Sequence, residues 1–98
     1  MLAYKAVQEN RQSYISEIIY ADGGEFVEPN INASPELHGK GLTVGTLEWA
    51  KQRVAEWGGI ILEVEIPEED NVVVYPVGGK GKFRVKRLVV LGEREIIH

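Results

Sequence analysis

Only one stretch of this chain repeats apolar residues at helical spacing, so the rest of the fold has to come from short extended segments. Leu47, Ala50, Val54 and Trp57 fall at i, i+3, i+7 and i+10 and form one apolar stripe. Thr46 stands where an N-cap hydroxyl belongs, and Gly58-Gly59 supplies a left-handed stop. The stripe places Trp57 in the core and leaves Trp49 off it, available to a ligand. Immediately beyond the stop, Ile60–Ile66 alternates. Ile60, Leu62, Val64 and Ile66 share one side and Glu63 and Glu65 the other, as in a strand with one wetted face. Further strands are expected at Leu2–Gln8, Tyr14–Tyr20, Val72–Tyr75 and Lys82–Leu91, each bounded by Gly, Pro, Asn or Ser, with a weakly alternating tail at Gly92–His98.

The expected fold class is α+β: a mostly antiparallel sheet with one main helix packed on it. Ninety-eight residues suffice for a single domain, 1–98, with one modest core. Such a small core leaves little margin against chain entropy, so self-association into a homo-oligomer is expected. Between Ala21 and Lys40 the chain holds Gly23-Gly24, Pro29 and Pro35 among Asn and Ser residues. An irregular loop of this length, about 21–40, tends to be functional.

Composition narrows the chemistry. The absence of cysteine excludes disulfide frameworks, thiolate metal sites and cysteine nucleophiles. No apolar run approaches the roughly 20 residues of a membrane helix, and the first residues lack a signal-peptide pattern, so a cytoplasmic protein with no membrane partner is expected. The formal net charge of −4 argues against duplex nucleic acid as a partner. That figure conceals an asymmetry. Five of the eleven basic residues, Lys80, Lys82, Arg84, Lys86 and Arg87, fall between positions 80 and 87, whereas Glu63, Glu65, Glu68, Glu69 and Asp70 precede them.

The segment VGGKGKFRVKR is the strongest chemical feature. In an extended strand Lys82, Arg84 and Lys86 share one face, and strict alternation would turn Arg87 inward with Phe83 and Val85. An inward arginine needs a partner or a bulge that resets the register. Flanking glycines permit backbone amides to line an anion site. A second cluster, SPELHGKGLTVGTLEWA, feeds the helix start, where Thr43, Thr46 and free amides suit a phosphate. Either cluster also has a structural reading: a solvated basic strand opposite the acidic one, and a simple helix cap. Trp49 and Tyr4 are candidates for stacking on a base. His38 and His98 stand alone without metal-ligand spacing, so no metal site is expected, and no nucleophile elbow accompanies the serines.

YKAV at Tyr4–Val7, GLTVGTLEWA at Gly41–Ala50, LEVEIPEED at Leu62–Asp70 and VVVYP followed by GKFRVKRLVVLGE resemble a small domain of unknown function from bacteriophage and bacterial proteins, one also found beside pentapeptide repeats. In the domain that they resemble, a His often stands at the place of Thr43, so the resemblance implies that a catalytic His would be missing here. The arrangement is distantly similar to ADP-ribosyltransferase-like folds. The resemblance implies a small protein of phage type, in the cytoplasm of a bacterial host, that acts by binding. Several such proteins are sponges for nucleotide second messengers of bacterial defence.

The combined expectation is a non-enzymatic domain, without cofactor or catalytic residues, that sequesters a phosphate-bearing, nucleotide-derived ligand. Lys80, Lys82, Arg84 and Arg87 would hold phosphates, Thr43 and Thr46 would add donors, and Trp49 or Tyr4 would stack. The alternatives are an ADP-ribosyltransferase-like or nucleotide-processing enzyme, and a protein-interaction module.

Overall fold

Apolar alternation along short segments is satisfied here by one seven-stranded antiparallel sheet that bends back on itself. The computed structural model describes residues 1–95. Its elements are β1 (Leu2–Val7), β2 (Glu25–Val27), β3 (Leu42–Gly45), α1 (Leu47–Trp57), β4 (Ile60–Glu65), β5 (Val73–Val74), β6 (Lys82–Val85) and β7 (Arg87–Arg94). All strand pairs are antiparallel, in the order β2-β7-β4-β1-β3-β6-β5. The α+β class expected from the sequence is the class observed.

Closure follows from one residue. β6 pairs with β3 and β7 pairs with β4, yet only Lys86 separates β6 from β7. The cycle β4-β1-β3-β6/β7-β4 is therefore continuous, with a bend at Lys86. There the Lys86 amide donates to the Val72 carbonyl at 2.9 Å, and its carbonyl accepts from the Glu28 amide at 2.8 Å. The interior is filled from every strand of the cycle: Ala3 and Val7, Leu42 and Val44, Leu62 and Val64, Phe83 and Val85, Leu88 and Val90. Helix α1 covers the outside, burying Ala50 where Ala6 and Ile61 are also buried.

The bend resolves the problem posed by Arg87. Phe83 and Val85 face inward, and beyond Lys86 the inward residues are Leu88 and Val90 instead of Val89 and Leu91. The alternation shifts by one residue, so Arg87 leaves the core. Elsewhere local pattern and tertiary context disagree. Tyr14–Tyr20 is not a strand; it is a loop tied by one bridge, Gln12 to Ile19, with Ile15 85% exposed and Tyr20 buried. The irregular segment contains β2, whose three residues pair with β7. Trp57 is 56% exposed: it packs edge to face against Tyr14 and under Arg53 instead of entering the core. His98 lies outside the described residues.

Candidate functional site

Arg84 sits at the centre of the outer face of β3 and β6, opposite Thr43 in register. It is only 3% exposed. Its Nε donates to the Asn32 carbonyl at 2.8 Å, its Nη1 to the Glu36 carbonyl at 2.8 Å and its Nη2 to the Ser34 carbonyl. A buried guanidinium without a carboxylate is tolerable only when dipoles of this kind surround it. The loop thus folds around Arg84. The glycines of HGKG belong to the same arrangement: a Cβ on Gly39 would meet the Arg84 guanidinium carbon at 3.0 Å, and one on Gly41 the Arg84 Cβ at 3.0 Å. The sequence makes the helix start that this segment feeds a candidate phosphate site; Gly39 and Gly41 themselves make room for the Arg84 side chain.

Arg87 goes elsewhere. Its Nη2 and Nε donate to Glu25 Oε1 at 2.8 and 3.1 Å, and its Nη1 donates to the Glu69 carbonyl at 3.1 Å. The structure therefore does not bring Arg84 and Arg87 together. One guanidinium organises the loop at residues 32–36, and the other ties β2 to the turn after β4. The acidic strand has its own partners: Arg94 on Glu63 at 3.0 Å and the Met1 amino group on Glu65 at 2.7 Å.

Of the five basic residues at 80–87, Lys82 and Arg84 line a cleft of about 130 Å³, together with Thr43, His38, Leu37 and Ile15, among others. Three of the expected ligand residues, Thr43, Lys82 and Arg84, meet here. A guanidinium carries five N–H groups, and the loop carbonyls engage three of them. Lys82 forms no ion pair among the described residues. Partial burial, followed by the positive charges of Arg84 and Arg53, holds its pKa below the usual lysine value. The site is an electropositive notch with one unpaired ammonium.

The other expected ligand residues lie outside that notch. Lys80 is exposed in the turn before β6, with φ +51°. Thr46 is the helix cap, accepting from the Trp49 amide at 3.2 Å. Trp49 packs on the backbone of Gly45, where a Cβ would strike its ring. Tyr4 lies under the Arg94 guanidinium, 5.6 Å from the ring centre. Neither Trp49 nor Tyr4 lines the cleft beside Lys82. Sequence reasoning missed His38, Leu37 and Ile15 as neighbours of Lys82, since only the fold carries their segments there.

Among the described residues, no three His, Asp or Glu side chains are grouped as a metal would require, and no helix is long and apolar enough to cross a membrane. No family model, no curated protein and no solved structure matches this chain.

Proposed function

We propose that the protein is a non-enzymatic binding domain that holds the phosphate-bearing end of a small molecule in the Lys82 cleft. The observation that carries this reading is an ammonium, Lys82, without an ion-pair partner among the described residues, in a notch that it shares with the guanidinium of Arg84. Bringing an anion there relieves repulsion and pairs the lone charge, so both terms favour binding. Thr43 supplies a hydroxyl in the lining, and Arg84 supplies a fixed positive field.

Size limits the ligand. A cleft of about 130 Å³ is well below the roughly 300 Å³ at which drug-sized pockets begin. It accommodates a phosphate group and not a nucleoside. A nucleotide-derived signal of the kind sequestered by phage proteins would therefore enter phosphate first, with base and sugar outside. Lys80, Arg87, Thr46, Trp49 and Tyr4 have no part in this smaller site.

Titration with inorganic phosphate, pyrophosphate and nucleoside monophosphates, followed at the Lys82 side chain by NMR, tests the proposal. Saturable binding should raise the Lys82 pKa, and Lys82→Ala should abolish it. No saturable change at tens of millimolar phosphate would sink the reading. Mass spectrometry of ligand released from purified protein identifies the natural occupant, and incubation with NAD separates binding from turnover.

A further inference from the structure

We infer that the groove at the C-terminal end of α1 is a second binding site, for an organic cation with an alkylated ammonium head. The groove is open to solvent, spans about 640 Å³ and is lined by Gln8, Glu9, Asn10, Tyr14, Trp57 and the Gly58-Gly59 stop. It is distinct from the Lys82 cleft, with which it shares no lining residue.

Three features of the lining favour a cation. Tyr14 and Trp57 meet at 79° with ring centres 5.1 Å apart, forming a right-angled aromatic corner. Ring faces carry negative quadrupole density, which attracts weakly hydrated cations. Glu9 is exposed and forms no ion pair among the described residues, and it is the only charged side chain in the lining. The last turn of α1 carries no basic residue, so no cationic side chain of that turn offsets the partial negative charge of the helix end.

The corner is held in place. The Tyr14 hydroxyl donates to the Gly58 carbonyl, fixing one ring against the helix end. Arg53 stacks on Trp57 with its guanidinium 5.4 Å from the ring centre, yet Arg53 does not line the groove. Trp57 already attracts a cation from outside the groove while also presenting surface to it. A single carboxylate is too few for a calcium or magnesium site, which takes several oxygen ligands. Aromatic walls with one carboxylate match an N-methylated ammonium, whose methyl groups contact the rings while its charge faces Glu9.

The test follows the Trp57 indole resonance during titration of the whole protein with tetramethylammonium, choline and a short peptide carrying trimethyl-lysine. The neutral isostere 3,3-dimethylbutanol is the control. Saturable shifts with the cations and none with the alcohol are expected. Choline against peptide then distinguishes a free metabolite from a modified partner protein. Glu9→Gln should weaken binding roughly fivefold, and Trp57→Ala should weaken it tenfold or more, with Trp57→Phe between wild type and Ala. Both residues are exposed, and circular dichroism verifies the fold. Absence of a shift with every cation, equal binding of the alcohol, or unchanged affinity in both Glu9→Gln and Trp57→Ala overturns the inference.

Discussion

The ammonium of Lys5 lies 4.7 Å from the centre of the Tyr20 ring, inside the curled sheet, and donates to the Thr43 carbonyl at 2.6 Å. Its side chain is inward because β1 alternates, with Ala3, Lys5 and Val7 on the core side. β1 and β3 pair at Tyr4 and Gly45 alone, and the Lys5 ammonium reaches the Thr43 carbonyl beyond that pair. Among the described residues no carboxylate pairs with it. The residue is 5% exposed, and burial brings its pKa down to about 8.

This pair makes stability depend on pH in a particular sense. The folded protein releases the Lys5 proton near pH 8, whereas the unfolded chain keeps it to about 10.5. The unfolded state binds more protons across that window, so stability should rise with pH from about 8 to 10, by on the order of 3 kcal/mol at most. Lys82 acts in the same direction. Burial pushes Tyr20 up to about 12, so its unfolded form ionises first, and stability should fall as pH climbs above 10. Thermal midpoints measured from pH 7 to 11 should pass through a maximum near pH 10. A monotonic decline from pH 7 would contradict the buried, unpaired lysine.

Lys5→Met removes the buried charge while keeping most of the volume. It also leaves the Thr43 carbonyl without its donor, which costs about 1 kcal/mol or more. Relief of the ammonium's desolvation exceeds this, giving a net gain of about 1–2 kcal/mol at pH 7. Denaturant melts should show that gain, together with loss of most of the rise above pH 8.

Arg84→Lys should be far from conservative. An ammonium lacks the planar fork that reaches the Asn32, Ser34 and Glu36 carbonyls at once. A loss of about 2–4 kcal/mol is expected, with amide exchange accelerating locally at Asn32, which bonds to Lys40, and at Val77, which bonds to Pro35. Exchange that stayed unchanged over 31–41 would show that the loop is held by something else.

The two glycines ending α1 should respond very differently to alanine. A Cβ on Gly59, at φ +106°, would sit on the Val7 carbonyl oxygen, a backbone atom that cannot yield. Gly59→Ala should cost more than about 4 kcal/mol or prevent folding. Gly58, at φ +77°, has open space around it, so Gly58→Ala should cost only about 1 kcal/mol of backbone strain. Comparing the two variants by urea unfolding isolates close approach from conformational preference.

Much of the fold was legible because it rests on short-range chemistry. Thr46 caps α1 and Gly58 ends it as the local pattern requires, and the Ile60–Ile66 alternation sends Leu62, Val64 and Ile66 inward. The same reasoning failed for Trp57 and for Tyr14–Tyr20. An apolar stripe shows which face of a helix can be buried, not how far the surface beneath it extends. Alternation in a segment of seven residues cannot guarantee a partner strand.

The candidate site was legible only in part. The cluster of cations at 80–87 led to Lys82, but nothing local distinguishes it from Arg84 or Arg87. Their separation is decided by residues about fifty and sixty positions away: the carbonyls of the 32–36 loop take one guanidinium, and Glu25 takes the other. By itself the sequence determined the helix and its caps, the alternating strands and the class of fold, since each depends on neighbours a few residues apart. Only the tertiary structure decided which charges are neutralised and which are left free. Closure at Lys86 brings distant carbonyls and carboxylates within hydrogen-bonding range, and a side chain's chemistry depends on what it meets there.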